Sequence, residues 1–256
     1  TQDIKGQKRN FDKAEVYTCE QSVKRLVPQF KHTAKVLNQL PAAACPGGLA
    51  VARMIMNPSY IARSYFPRAL LQEVGLTTLG SRSTTVRPSQ WKRKIKPTEC
   101  STTEFFVAGK RRIFDQLASV ADFVAINTAE AVDLARVEEF KPFQPEDRVV
   151  ALGNRKNHHF EVAVHLMPDA DPDFIKNAFI EYATALEITV HDKLSFVTGN
   201  LWFVAVECTH SAVQKLAQFS FARVIRPLAK LRTFRPMVRA GFAAASCRIP
   251  SLPISA

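Results

Sequence analysis

The run HHFEVAVHLM (158–167), with DFIKNAFIEYATALE (173–187), ITVHDKLSFVTG (188–199), LWFVAVE (201–207) and FARVIRPL (221–228) after it, decides the fold. Phe160, Val162, Val164 and Leu166 alternate with Glu161, Ala163 and His165, the period of two that points one set into a core and the other set outward. Pro168 and Pro172 introduce a segment in which Phe174, Ile175, Ala178, Phe179, Tyr182 and Leu186 make a broad apolar helical face. Gly199-Asn200 lies between two strand-like runs and signals a hairpin turn, because both residues tolerate positive φ. Thr209 or Ser211 caps a short helix carrying Val213, Leu216 and Ala217. Pro227 argues for a sheet edge or a strand end. The order strand-helix-strand-strand-helix-strand is the ferredoxin-like pattern, one four-stranded sheet with two helices on one face and the other face open.

The same order reads more loosely over 49–140. LAVARMIM (49–56) is a strand, and Asn57-Pro58 turns the chain. Tyr60, Ile61, Tyr65, Leu70, Leu71 and Val74 then carry helical spacing, with Pro67 opening a second helical piece and Gly75 stopping it. LTTLGSRSTTV (76–86) and STTEFFVA (101–108) are β-prone. KRRIFDQLASV (110–120) places Ile113, Phe114, Leu117 and Val120 on one helix face, and AVDLARVEEF (131–140) reads as strand or helix. Ahead of this unit, 11–40 reads as helical, with Asn10 as N-cap and a stripe of Val23, Leu26, Val27, Phe30, Ala34 and Leu37. Pro28 inside it predicts two helices or a kink. AACPGG (43–48) separates the arm from the first unit, and the Pro-containing, mixed-charge stretch 140–157 reads as a linker or connecting excursion. The expected architecture is α+β: a helical arm (1–45), a first α+β unit (49–140), a linker (141–157), a second ferredoxin-like unit (158–228) and a basic tail (229–256).

Charge is segregated along this plan. The 256 residues hold 35 Lys+Arg against 23 Asp+Glu, a net charge of +12. No acid occurs between Glu20 and Glu73, from Leu76 to Thr98, or after Glu207, whereas most acids fall between Glu99 and Asp192. A cationic face this segregated calls for an anionic counterpart: nucleic acid, an acidic partner, or an acidic part of the same protein. Five scattered cysteines (19, 45, 100, 208 and 247) read as free thiols of a reducing cytoplasm. No run is apolar enough to span a bilayer, so no membrane partner is expected.

Motifs for chemistry are missing. Neither a phosphate-cradling glycine-rich loop nor G-x-G-x-x-G is present, and there is no G-x-S-x-G elbow, H-E-x-x-H helix or CxxC pair. His158, His159 and His165 share one strand, and Cys208-Thr209-His210 sits at a strand-to-helix turn, but a metal centre needs three or four convergent ligands and these spacings provide none. His191, Asp192 and Ser195 are near-neighbours and cannot surround a carbonyl as a triad does. Asp169, Asp171 and Asp173 lack the rest of a calcium loop and read as capping ahead of a helix. No catalytic residue, metal or cofactor is expected. WKRKIK (91–96) leaves Lys92, Arg93, Lys94 and Lys96 as candidate anion-binding residues. LWFVAV (201–206) is weakly similar to the third strand of an RNA-recognition module. Trp202 and Phe203 point to opposite faces there, so only one of them can be exposed, and packing in the core is the plainer reading.

FARVIRPLAKLRTFRPMVR (221–239), together with NPSYIARSYFPRALLQEVGLTTLGSRSTTVRPSQW (57–91), resembles the N-terminal region of large bacterial subtilisin-like serine proteases encoded beside an AAA+ ATPase, a pairing associated with plasmid and phage defence. The resemblance rests on Asn57-Pro58-x-Tyr60, Ser64-Tyr65-Phe66-Pro67, Leu70-Leu71 through Gly75-Leu76, Gly80-Ser81-Arg82, and the series Arg226-Pro227, Leu231-Arg232 and Arg235-Pro236. It covers about half the chain and includes none of the protease's own Asp-x-Gly, His-Gly-Thr-His or Gly-Thr-Ser motifs.

The resemblance implies a propeptide-like, non-catalytic region that folds, inhibits or regulates a subtilisin-like catalytic domain, in cis or after cleavage, with an AAA+ ATPase as a further partner. In that class the open sheet packs on the protease and the C-terminal extension enters its cleft. Arg226, Arg232, Arg235 and Arg239 are then the expected partner contacts. The alternative is a nucleic-acid-binding adaptor with folds like RNA-recognition modules and basic arms, whose affinity falls steeply with salt.

Overall fold

In the computed structural model, which describes residues 15–91, 98–119, 128–150 and 158–228, the alternation of 158–167 becomes strand β5 (His159–His165), with Phe160, Val162 and Val164 fully buried. Asp171 caps helix α5 (Pro172–Ala185) by accepting from the Asp173 amide, and Pro172 fills the first helical position, where no amide is needed. Ile175, Phe179, Tyr182 and Ala183 are the buried face of α5. Strands β6 (Thr189–Thr198) and β7 (Leu201–Glu207) form the hairpin, with Gly199 at φ 54° in the turn. Thr209 caps helix α6 (His210–Leu216), and β8 (Ala222–Pro227) closes an antiparallel sheet of order β6-β7-β5-β8, with Pro227 ending an edge strand. Trp202 packs edge-on against Phe179 of α5, so both helices' apolar residues and Trp202 share one side of the sheet.

The first unit has a sheet of the same order. Strands β1 (Leu49–Met56), β2 (Thr77–Val86), β3 (Cys100–Lys110) and β4 (Val137–Pro142) lie antiparallel as β2-β3-β1-β4. The elements between them are helices α2 (Arg68–Val74), α3 (Arg111–Leu117) and α4 (Ala129–Arg136). The stretch read as strand or helix is both: Thr128 caps α4, and the chain passes into β4 at Val137. Residues 58–66 hold two short 3-10 turns instead of a helix, and Pro67 stands at the N-cap position of α2, just outside the helix it is expected to open. Gly75 stops α2 in the left-handed region.

The N-terminal arm is one helix, α1 (Cys19–Asn38), opened by a capping box between Thr18 and Gln21. Asn10, expected as its cap, lies outside the described residues. Of the two expected outcomes at Pro28, two separate helices are excluded: the helix is continuous through it, with Pro28 on the exposed side, where the carbonyl that loses its amide partner is open to solvent. Leu26, Phe30, Ala34 and Leu37 pack on the first sheet together with Ala50, Ala52, Met54 and Met56. The arm is thus part of the first unit's core. Buried Glu138 ties it down: it accepts from Tyr17 at 2.8 and 2.9 Å, from Asn57 at 2.6 Å and from the Ser89 amide at 2.7 Å.

The first sheet's other face is also covered. Val51, Leu79, Phe106 and Ala108 belong to the same buried cluster as Phe160, Phe179 and Trp202 of the second unit. His165 and Ala163, expected to face outward, are each 1% exposed, and the His165 ring lies 5.0 Å from that of Phe106. Arg223 reaches from β8 to the Ser81 carbonyl and sits over Phe106. Ser220 bonds the Ala44 and Leu49 carbonyls. Within 141–157, expected to be a linker, the described part is packed structure: β4 runs to Pro142, Phe143 is buried, and Val149 bridges Ile225 in parallel. Residues 151–157 are not among the described residues.

The protein is therefore α+β, with two four-stranded antiparallel sheets and six α-helices among the described residues. No helix among those residues is long and apolar enough to cross a membrane.

Candidate functional site

Period-two geometry fixes which side chains share the second sheet's helix-free face. The register β5–β7–β6 aligns Ala163, Phe203 and Phe196 in one row, Glu161, Ala205 and His191 in another, and His159, Glu207 and Thr189 in a third. On β5 this face is covered at Ala163 and His165, each 1% exposed, and Ala205 of β7 is buried as well. Along β6 it is exposed, and there Phe196 stacks on Phe203 with centroids 4.9 Å apart and planes 8° apart. Phe196 is 59% exposed and its neighbour Leu194 66%. The register shifts between His191 and Ser195, so β6 departs from regular pairing where Leu194 emerges. Of Trp202 and Phe203 only Phe203 reaches the open side, as their spacing requires.

Arg226 belongs to this face as well, but it is not a free cation. Its guanidinium is a two-bond fork onto Glu161 at 3.1 Å for each bond. Arg232, Arg235 and Arg239 lie outside the described residues, as do Lys92, Arg93, Lys94 and Lys96.

At the opposite end of the open face, three donors from three strands converge: His159, His191 and Glu207, with ligand atoms within 4.8 Å of one another. His191 Nε2 is 3.7 Å from the Glu207 carboxylate, too long for a hydrogen bond. His191 therefore turns toward Glu207 and not toward Ser195, whose hydroxyl instead meets Asp192 at 3.3 Å.

A second surface feature gathers the phrases that carried the family resemblance. Tyr60, Arg63, Tyr65, Phe66, Arg68 and Ser81 line a groove of about 500 Å³ floored by Thr103 and Phe105. Arg63 and Arg68 are exposed at its rim.

Between the units lies a buried polar seam. Arg148, 0% exposed, donates to the carbonyls of Phe143 at 2.6 Å and Ala217 at 2.8 Å and to that of Phe219, with Phe143's ring 4.7 Å from its guanidinium. Burial pushes its pKa down to about 9. Glu104, 1% exposed, pairs with Arg82 and, at 3.5 Å, with Arg53, which also holds Asp147 at 2.8 Å. Among the described residues His165 has no hydrogen-bond partner for either ring nitrogen, and burial, with Arg223 and Arg148 close by, holds its pKa well below the ordinary range. The buried thiols are not activated: burial pushes Cys208 up to about 11 and raises Cys45.

The sequence matches no family model and no curated protein. A solved structure, the ligand-free regulatory subunit of aspartate kinase from Thermus thermophilus, aligns at 14% identity over 68% of this chain and 93% of that one. Its TM-score of 0.24 is too low to carry an argument.

The sequence does not reveal the convergence of His159, His191 and Glu207. Their separation along the chain hides a cross-strand row, and only the pairing register brings them together. The row positions of Phe196 and Phe203 are hidden in the same way.

Proposed function

We propose that the chain is a non-catalytic docking and regulatory region built from two ferredoxin-like units, and that the open face of the second unit binds a protein partner. In the terms of the family resemblance that partner is a subtilisin-like catalytic domain, which the region folds or restrains. The reading rests on one observation above all, the stacked pair of exposed Phe196 and half-buried Phe203 on a sheet face that no helix among the described residues of its own unit covers. Aromatic side chains in a neutral setting are the usual anchors of protein interfaces. Strand order and the one-sided placement of the helices support the ferredoxin-like assignment of each unit.

The charges around the pair favour a protein over a nucleic acid. A phosphate backbone needs uncompensated cations beside its stacking aromatics. Here Arg226 is held by Glu161, and Glu207 adds an acid to the same face. The Tyr/Arg groove at 60–68 is the observation that favours the nucleic-acid alternative, since it sets exposed Arg63 and Arg68 beside aromatic rings.

Gel filtration of the chain with a purified subtilisin-like catalytic domain of the resembled class separates the two readings. Co-elution is expected, and Phe196→Asp, at a 59% exposed position, is expected to weaken it at least tenfold while the circular dichroism spectrum stays that of the folded chain. If the chain instead elutes alone and shifts DNA or RNA with an affinity that falls roughly 10³-fold between 50 and 200 mM salt, the docking reading fails and the groove reading replaces it.

A further inference from the structure

We infer that His159, His191 and Glu207 form a binding site for a divalent transition metal of the zinc class. The argument starts from donor chemistry. Two imidazoles and one carboxylate are a recurrent three-ligand set for Zn²⁺, leaving the fourth tetrahedral position to water or an incoming ligand. Imidazole donors select Zn²⁺, Co²⁺ or Ni²⁺ over Mg²⁺ and Ca²⁺, which require oxygen donors in larger number.

Geometry supplies the second part. Glu207 on central strand β7 lies directly opposite His159 on β5, and Thr189 of β6 is opposite Glu207 on its other side. His191, two residues along β6, returns to the same face. All three side chains therefore project from one face of three adjacent hydrogen-bonded strands, which fixes their bases more firmly than a loop does. The ligand atoms lie within 4.8 Å of one another. Donors on a tetrahedral Zn²⁺ at about 2.0–2.1 Å are roughly 3.3 Å apart, so shifts of an ångström or so at the side-chain tips close the site. His191 is 37% and Glu207 48% exposed, which leaves both free to make that adjustment and keeps the fourth position open to solvent.

The neighbouring row helps to keep the donor set defined. Glu161 is committed to Arg226, so that carboxylate is already satisfied beside the site. Cys208 comes directly after Glu207, but it is buried on the helix side of the sheet, facing away from the three donors. A metal bound here is thus ligated by nitrogen and oxygen only.

The test is titration of the metal-free full chain with Co²⁺, read by its visible d–d absorption, with Zn²⁺ as competitor. One Co²⁺ per chain is expected, in a tetrahedral spectrum without a thiolate charge-transfer band, displaced by Zn²⁺ and unaffected by Mg²⁺ or Ca²⁺. His191→Ala and Glu207→Gln, both at partly exposed positions, should each weaken binding by at least about tenfold, whereas His32→Ala on α1 should leave it unchanged. Zn²⁺ should also raise the wild-type melting temperature and fail to raise that of His191→Ala. Absence of Co²⁺ and Zn²⁺ binding, a thiolate band, or binding indifferent to both substitutions would overturn the inference. None of these readouts involves a protein partner, so the metal site and the docking face stand or fall separately.

Discussion

Replacing Arg148 by alanine is expected to lower the free energy of unfolding by about 3–5 kcal/mol, through the cavity it opens and the buried carbonyls it leaves without a donor. The guanidinium is fully buried, and among the described residues no carboxylate lies within ion-pairing distance, so carbonyl oxygens carry its solvation. Those carbonyls come from both sides of the seam: Phe143 comes just after the last strand of the first unit, while Ala217 and Phe219 belong to the turn after α6. Alanine removes the cation's own desolvation penalty but takes the donor from the Phe143 and Ala217 carbonyls, while Phe219 keeps the Ala222 amide, and it leaves a cavity between the units. Arg148→Lys keeps the charge but concentrates its donors on one nitrogen, which cannot span carbonyls that the guanidinium reaches from two, and it should fall between wild type and alanine. Urea unfolding monitored by far-ultraviolet circular dichroism measures both. A loss below about 1 kcal/mol for alanine would mean that the seam does not hold the units together.

The second large effect is a pH dependence set by His165. An unfolded imidazole binds its proton near pH 6.5, whereas the folded one, 1% exposed and facing Arg223 and Arg148, does not until the pH is far lower. Below pH 6.5 the unfolded state therefore holds the extra proton, and stability falls as pH falls. The slope approaches 1.4 kcal/mol per pH unit from this residue alone, over the window between pH 6.5 and the depressed folded pKa. His165→Phe, beside Phe106, removes both the titration and two unsatisfied nitrogens. The variant is expected to match or exceed wild-type stability at pH 7, with its advantage growing by about 1 kcal/mol from pH 6 to pH 5. A difference between the two proteins that stays constant across this range would place the proton elsewhere.

Arg148 and His165 also mark where sequence reading stops. The alternation of Phe160, Val162 and Val164 with Glu161, Ala163 and His165 determines which residues share a side, because strand geometry is local. It cannot say what covers each side. His165 has an outward position in its own unit and a buried one in the chain, since Phe106, a distant residue of the first sheet, closes over it.

The prolines and charges of 140–157 look like a connection when judged by composition. Yet a fully buried cation there is stable because three carbonyls from two regions converge on it, and no local pattern encodes that. Caps and turns are legible for the opposite reason: Thr209, Asp171, Gly75 and Gly199 act on neighbours one to three residues away.

The candidate sites divide in the same manner. That Phe203 and Trp202 oppose each other is a consequence of their adjacency. The stacking of Phe203 on Phe196 needs the β6–β7 register, which shifts between His191 and Ser195. The row that brings His159, His191 and Glu207 together depends on two registers at once. Arg226 reads as a free basic contact in the sequence, which shows its charge and not its partner. Glu161, far away in the chain, neutralises it across the β5–β8 pairing.

Peptide hydrolysis by a subtilisin-like catalytic domain of the resembled class, measured with and without the chain at micromolar concentration, tests the docking account most directly. Hydrolysis should slow in proportion to the chain added, and Phe196→Asp should relieve the inhibition while keeping the wild-type far-ultraviolet circular dichroism spectrum and a cooperative unfolding transition. Rates unchanged by the wild-type chain, or slowed equally by Phe196→Asp, would contradict the assignment of the open face of the second sheet as the binding surface.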